Sequence, residues 1–98
     1  MSSFIQLIDY ETDRAAEIDA AMRSAMSDGD AMPGFVRLDH TRDHDNPRHF
    51  TTIVEFASYE SAMANSAKPE TGEMASQLAS MCTSGPSYTN LDVQLTMP

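Results

Sequence analysis

A β-hairpin near the middle of the chain is the feature that most restricts how this sequence can fold. Residues from Gly34 to Asp43 alternate between two faces, with the period of two that is typical of a β-strand. Asp45 to Pro47 supplies turn residues, and a second run rich in β-branched and aromatic residues extends from His49 to Ala57. These segments predict two antiparallel strands joined by a short polar turn.

The alternation also assigns the hairpin residues to faces. We expect Val36, Leu38 and His40 of the first strand to face a layer of helices. The second strand contributes four residues to the same face: Phe50, Thr52, Val54 and Phe56. The opposite face carries Ile53 and three charged residues: Arg37, Asp39 and Glu55. Because a mixed face of this kind often lies in a subunit interface, we expect those charges to make contacts between two copies of the chain.

The segments before the hairpin predict one strand and one helix. Phe4 to Tyr10 is a short run of strand-forming residues. Thr12 or Asp13 can cap the helix that follows, and Asp28 to Asp30 ends it. The apolar residues of this helix recur at spacings of three and four: Ala15, Ile18, Met22, Ala25 and Met26.

The segments after the hairpin predict a broken helical region and a last strand. A short helix runs from Ser58 to about Ser66, and Lys68-Pro69 separates it from a second helical run that starts at Glu70. Gly85-Pro86 stops that run, and alternation from Tyr88 to Leu95 predicts the final strand. The element order β-α-β-β-α-β predicts an α+β, ferredoxin-like domain with a four-stranded antiparallel sheet.

Length and charge restrict the possible functions. The 98 residues suit one domain that spans the whole sequence, 1–98. Fifteen acidic and six basic residues give a net charge of −9, which repels nucleic acid and anionic membranes, so neither is an expected partner. The sequence shows no signal peptide and no membrane span, and its single cysteine, Cys82, excludes an internal disulfide. We expect a cytoplasmic protein with an unreactive thiol.

Several short motifs resemble those of one known family. They are Pro33-Gly34-Phe35, Asp45 to Pro47, Phe50 to Val54, Phe56 to Ser58 and Pro69-Glu70. In this pattern the chain resembles the antibiotic biosynthesis monooxygenase family of dimeric α+β barrel proteins. The resemblance implies a homodimer whose sheets pair into a barrel, and a cofactor-independent monooxygenase-like activity on a small aromatic or polyketide-like substrate. It also implies that neither a nucleotide, a flavin nor another cofactor is used.

The sequence departs from that family at positions that bear on its chemistry. Quinone-forming members resemble one another in a tryptophan at the end of the third strand and an asparagine four residues earlier. Phe56 and Thr52 occupy these places here, and the chain has no tryptophan. Haem-degrading relatives use an axial histidine after the third strand, but the segment 57–87 contains none, so haem is not expected. Two alternatives to the oxygenase therefore stay open: a non-catalytic ligand-binding or interaction homodimer, and a cyclase or isomerase using the same pocket.

His40 is the best catalytic candidate. An imidazole titrates near neutral pH, which suits proton transfer from a phenol or an activated carbon acid. The alternative is a core histidine whose ring is satisfied by a backbone carbonyl. Thr52 and Phe56 are expected on the same face as substrate-binding residues, and Tyr59 and Tyr88 could donate to a ligand or pack at the pocket rim.

Three histidines lie close together in the sequence of the hairpin, but their spacing does not favour a metal site. His40 and His44 lie about 13 Å apart along a strand at about 3.3 Å per residue, too far to share one ion. His44 and His49 flank the turn with Asp43 and Asp45 nearby, which gives at most a weak, exposed site. We expect a polar hairpin tip and no bound metal. The methionines on the predicted helices, including Met63, Met74 and Met81, are expected to fill the core.

Overall fold

The computed structural model describes residues 3–27 and 33–98. Its elements are β1 Phe4–Glu11, α1 Ala15–Ser27, β2 Phe35–Arg42, β3 His49–Phe56, α2 Tyr59–Ser66, α3 Pro69–Ser80 and β4 Ser84–Asp92. The strands form one antiparallel sheet in the order β2-β3-β1-β4. This confirms the predicted ferredoxin-like α+β fold, with its second helical region divided into α2 and α3. Within the described residues, no helix has both the length and the apolar character needed to cross a membrane.

Local hydrogen bonds explain where the helices begin. The first hydrogen bonds of α1 end on the Arg14 carbonyl, so the helix starts after Arg14 rather than after Thr12 or Asp13, the two predicted caps. Thr12 Oγ1 accepts a hydrogen bond of 2.9 Å from the Arg14 backbone N–H in the turn that leads into the helix. Ser58 caps α2 as predicted, in a reciprocal capping box with Ser61. Pro69 opens α3 in the first turn, where its missing N–H costs no hydrogen bond. The predicted end of the first helix, Asp28 to Asp30, lies outside the described residues.

Two hydrophobic clusters join the helices to one face of the sheet. The first contains Tyr10, Ile18, Phe50, Leu78 and Met81, all buried. The second contains Phe4, Phe56 and Ala62, with Phe35, Val54 and Met63 packed against it. The predicted helix-facing side of β3 is therefore confirmed. Of the methionines, Met22 packs on the first cluster and Met74 is half-buried, while the side chain of Met26 lies outside the described residues.

The prediction for Val36 is wrong. This side chain is 51% exposed instead of facing the helices. The register between β2 and β3 shifts between Phe35 and Arg37, so the strand contains a bulge at this point. The bulge places Phe35 on the helix-facing side, where its ring meets that of Phe56 edge-to-face at 6.0 Å. Leu38 and His40 lie beyond the bulge and keep the predicted alternation.

The predicted limits of the last strand are also wrong. β4 begins at Ser84 rather than Tyr88 and ends at Asp92, so Val93 to Leu95 lies outside it. Gly85 and Pro86 fit within the strand because β4 is at the edge of the sheet, where a residue without an N–H can be accommodated. A register shift in β1 between Asp9 and Glu11 accompanies this segment.

Gly34 provides a test of the link between β2 and α2. It adopts φ +80°, and a Cβ at this position would collide with the Cβ and Oγ of Ser61. We expect Gly34→Ala to lower the free energy of unfolding by about 1–3 kcal/mol, through backbone strain and loss of that close approach. Gly72→Ala is the matched control, because a Cβ there meets nothing within 4 Å and Gly72 lies inside α3. The control should gain about 0.5–1 kcal/mol. Urea unfolding measures both, and equal midpoints for Gly34→Ala and the parent would contradict the expectation.

Candidate functional site

Three polar side chains from three neighbouring strands meet on the helix-facing side of the sheet. Tyr10 Oη lies 3.2 Å from His40 Nδ1 and 3.1 Å from Thr52 Oγ1. His40 Nδ1 lies 3.3 Å from Thr52 Oγ1, which closes a triangle of hydrogen-bonding groups. The strand register explains this arrangement, since His40 pairs directly with Thr52 across β2 and β3. We refer to Tyr10, His40 and Thr52 as the hydroxyl triangle.

Aromatic packing holds the triangle in place. The rings of His40 and Phe50 stack at 5.5 Å between centroids and 7° between planes. Tyr10 stacks on Phe50 at 6.1 Å and 11°. Tyr10 and Thr52 are almost completely buried, at 2% and 1% exposure. His40 is thus fixed in orientation by side-chain hydroxyls and an aromatic ring, not by the backbone carbonyl that a simple core histidine was expected to use.

A cavity of about 540 Å³ lies next to His40. Helix α1 contributes Asp19, Met22 and Arg23 to its lining, β2 contributes Leu38, Asp39, His40 and Thr41, and β3 contributes Ile53, so the cavity opens at the outer edge of the sheet. Arg23 Nε donates to Asp19 Oδ2 at 2.7 Å, so an ion pair lies beside apolar walls. The volume falls in the range of small-molecule pockets, and a few polar groups on an apolar surface are typical of them.

Burial determines the protonation states of the triangle. Partial burial lowers the pKa of His40, and the nearby Asp19 carboxylate opposes this shift. Burial raises the pKa of Tyr10, against the hydrogen bond from Thr52, and the Cys82 thiol adds to the increase. Near neutral pH the site therefore holds a neutral imidazole beside a protonated phenol. Burial also raises the pKa of the Cys82 thiol, whose Sγ donates to the Leu78 carbonyl at 3.1 Å.

The predicted site residues separate into two groups. His40 and Thr52 lie together, as the hairpin predicted. Phe56 is buried in the second cluster, and Tyr59 packs edge-to-face on Phe4 at 5.5 Å, so both lie away from the triangle. Tyr88 lies on β4 and is 49% exposed. Among the described residues that line the cavity at His40, none is one of these three aromatic residues.

Tyr10 is the site residue that the sequence analysis missed. The run from Phe4 to Tyr10 is apolar on both faces, so alternation alone gave no direction for its last residue. The signal lay in the topology: β1 adjoins β3, and Tyr10 pairs with Phe50 across the two strands. A split βαβ order places the first strand beside the third, which brings a tyrosine on β1 close to the hairpin histidine.

His49 forms a second cluster, on the opposite face of the sheet. Its Nδ1 lies 3.0 Å from Asp43 Oδ2, and its Nε2 lies 3.1 Å from Asp9 Oδ1. Thr51 Oγ1 donates to the same Asp9 oxygen at 2.6 Å. Both ring nitrogens are thus occupied by carboxylates, while His44 at the hairpin tip is exposed. Across residues 3–27 and 33–98, no three His, Cys, Asp or Glu side chains are arranged to hold a metal ion.

The His49 cluster predicts a pH dependence of stability. Its hydrogen bonds with Asp43 and Asp9 raise the pKa of His49 above the ordinary value of about 6.5. The protonated ring therefore stabilises the folded state fully below about pH 6.5, and this stabilisation is lost as the pH rises through the higher folded-state pKa. The bond from His49 lowers the pKa of Asp43, so the Asp43 contribution is present above its ordinary pKa and is lost in stronger acid.

Unfolding of His49→Gln at two pH values tests this expectation. The variant should lose more stability relative to the parent at about pH 6 than at about pH 9. His44→Gln is the control, since His44 is exposed at the same hairpin tip. If His49→Gln lowers the free energy of unfolding equally at both pH values, or more at pH 9, the imidazolium does not stabilise this face.

Known structures share the fold of this chain. SnoaB, a cofactor-independent oxygenase from Streptomyces nogalater, superposes with a TM-score of 0.82 at 18% identity, covering 100% of this chain and 99% of that chain. A proposed antibiotic biosynthesis monooxygenase from Caulobacter crescentus gives 0.80 at 14% identity, with 94% and 90% covered. A conserved protein from Methanosarcina mazei gives 0.81 at 12% identity, with 93% and 92% covered.

These likenesses are similarities of fold. No protein-family model matches the sequence, and no curated protein matches it either. The resemblance to the antibiotic biosynthesis monooxygenases that the sequence motifs indicated is therefore confirmed for the architecture of the chain. Proteins with one fold can catalyse many different reactions, so the function of this chain has to be inferred from its site.

Proposed function

We propose that this chain is a cofactor-independent monooxygenase-like enzyme that binds a small aromatic or polyketide-like molecule in the cavity beside His40. The observation that carries the proposal is a neutral, oriented histidine on the wall of a cavity of about 540 Å³ that has both apolar and polar lining. The fold shared with SnoaB, a cofactor-independent oxygenase, supports it.

The chemistry that suits such a pocket depends on the substrate. An electron-rich phenol that loses its proton can reduce oxygen directly, so the protein has to bind the ring and favour its ionised form. Met22 and Leu38 supply apolar contact for a flat ring, and His40 meets its reacting oxygen. The balanced reaction converts the phenol to a quinone. A ring C–H bond and the phenol O–H bond are broken, and the substrate supplies all four electrons. One oxygen atom of O2 forms the new C=O bond, and the other leaves as water with the two hydrogens.

Replacement of His40 separates a functional role from a packing role. If His40 acts on the substrate, His40→Ala should lower turnover by roughly 10²-fold or more. If the ring only fills the core, the variant should instead lose about 1–3 kcal/mol of stability, through unpaired partners and a cavity. Oxygen uptake with a panel of phenols and hydroquinones measures the first effect, and thermal unfolding of the same sample measures the second. His44→Gln serves as the control, and full activity with an unchanged melting temperature in His40→Ala would contradict the proposal.

A non-catalytic ligand-binding homodimer is the second candidate. The observation that favours it is the replacement of the family's tryptophan and asparagine by Phe56 and Thr52, which are both buried here. The oxygen-uptake panel distinguishes the two candidates. Saturable binding of a phenol without oxygen consumption would support the binding protein, and turnover would support the enzyme.

We also propose that two copies pair through the sheet face opposite the helices. Ile5 and Leu7 on β1 point to this face, and Leu7 pairs with Ile53 on β3. The charges expected to reach a partner also have intrachain contacts, since Arg37 Nε lies 3.3 Å from Asp39 and 3.6 Å from Glu55. Pairing within the chain leaves the apolar part of the face as the main driving force for association.

Light scattering tests the homodimer. The parent should have twice the mass of the 10.8 kDa chain at micromolar concentration. Leu7→Asp should shift it to monomer, because burial of a carboxylate between two sheets costs its hydration. Ala64→Asp, on the exposed side of α2, is the control and should remain dimeric. Circular dichroism confirms that each variant is folded, and a monomeric parent would exclude the pairing.

A further inference from the structure

The hydroxyl triangle determines which nitrogen of His40 carries the proton. Tyr10 and Thr52 each have one hydroxyl hydrogen to donate. Each hydroxyl lies within hydrogen-bond distance of the other hydroxyl and of His40 Nδ1, at 3.1, 3.2 and 3.3 Å. One hydroxyl can donate to the other, but the second hydrogen then has a single acceptor left in the triangle. That acceptor is Nδ1, so Nδ1 has to be unprotonated.

The opposite tautomer leaves a hydrogen without an acceptor. With a proton on Nδ1, this nitrogen becomes a donor, and one of the two hydroxyl hydrogens has no acceptor in the triangle. Tyr10 and Thr52 are 2% and 1% exposed, so water does not reach them readily. A buried donor without an acceptor carries its full desolvation cost. The doubly protonated imidazolium has the same defect, because both of its nitrogens are donors.

The other ring nitrogen is directed away from the triangle. The two nitrogens of an imidazole point in diverging directions, so Nε2 lies on the side of the ring remote from Tyr10 and Thr52. His40 itself lines the cavity. Within residues 3–27 and 33–98, no side chain or backbone group is hydrogen-bonded to Nε2. A ligand in the cavity can therefore reach this nitrogen.

We infer that neutral His40 carries its proton on Nε2 and donates a hydrogen bond to an acceptor oxygen of the ligand, of the carbonyl, quinone or phenolate class. This differs from the general-base role expected from the sequence, because the lone pair of the ring points at the triangle. The nature of the ligand rests on the proposed function, whereas the position of the proton does not depend on any ligand.

The inferred donor explains how the site favours ionisation without removing a proton itself. A phenol whose oxygen accepts from Nε2–H is a stronger acid, because the hydrogen bond is stronger to the phenolate than to the neutral phenol. The proton passes to solvent water, and no protein group changes its protonation state. Asp19 and Arg23 line the same cavity with opposite charges 2.7 Å apart, and Asp39 lies in the lining as well.

Nitrogen NMR of the intact protein labelled with ¹⁵N-histidine tests the tautomer directly. His44→Gln and His49→Gln spectra identify the His40 signals by elimination. We expect the neutral His40 ring to show a protonated Nε2 and an unprotonated Nδ1, with the Nε2–H form favoured roughly tenfold or more. A neutral ring with its proton on Nδ1 would overturn the inference, whatever the activity of the protein.

The isosteric double variant Tyr10→Phe/Thr52→Val removes both hydroxyl hydrogens and tests their effect on the ring. With no hydroxyl hydrogen directed at Nδ1, the hydrogen bonds that favour the Nε2–H tautomer are lost, so the fraction of the Nδ1–H tautomer should increase relative to the parent. An unchanged tautomer ratio would show that the hydroxyls do not control the ring. If the double variant does not fold, Tyr10→Phe and Thr52→Val are measured separately. Each should keep the Nε2–H form, because one hydroxyl donor remains, and a switch to Nδ1–H in either would contradict the inference.

A chromogenic phenol tests the ligand class. The ionised form of 4-nitrophenol absorbs visible light and its neutral form does not, so an absorbance titration reports the ionisation of the bound probe. Binding to the parent should lower the apparent pKa of the probe, and His40→Ala should abolish that decrease. A raised pKa would overturn the donor role. Absence of binding would overturn both the ligand class and the proposed function, while the NMR result continues to decide the tautomer.

Discussion

Burial of the Tyr10 hydroxyl is the constraint on which the site depends. A phenol ring at 2% exposure contributes substantially to the core, but its hydroxyl has to find partners away from water. It finds them on two different strands, Thr52 on β3 and His40 on β2. These two hydrogen bonds therefore satisfy a core residue, align three strands and orient the His40 ring at the cavity. Packing and chemistry cannot be varied independently here.

Two of the three hairpin histidines, His40 and His49, have opposite environments. His40 faces the helices, and burial lowers its pKa, whereas His49 faces the open side, where Asp43 and Asp9 raise its pKa. Strand pairing produces this contrast. His40 shares a face with Thr52, its partner across β2 and β3, whereas His49 lies three positions before Thr52 on β3 and so points to the other face. A group of histidines in the sequence thus becomes two separate sites, one suited to a neutral ligand-facing ring and the other to a charged structural bridge.

Much of the fold could be predicted from the sequence because the alternation in the hairpin and the breaks at Lys68-Pro69 are local signals. The exposure of Val36 could not, because a bulge is a property of how two strands pair and leaves the residue pattern unchanged. The start of β4 was obscured because Pro86 normally ends regular structure but is tolerated at a sheet edge. The adjacency of His40 and Thr52 followed from the hairpin, whereas Tyr10 required knowledge of which strand lies beside β3. The catalytic and binding roles of these residues stay predictions.

The central position of β1 has a consequence for synthesis of the chain. Among the described elements this strand is made before the others, yet one of its two neighbours, β4, is made after them. The hydrogen bond of 2.6 Å from Thr12 Oγ1 to the Met81 carbonyl likewise joins groups 69 positions apart. Until β4 emerges, an incomplete chain has β1 as an unpaired edge that can add a strand from another nascent chain. Translational pausing before the last strand would therefore prolong the period in which aggregation competes with folding.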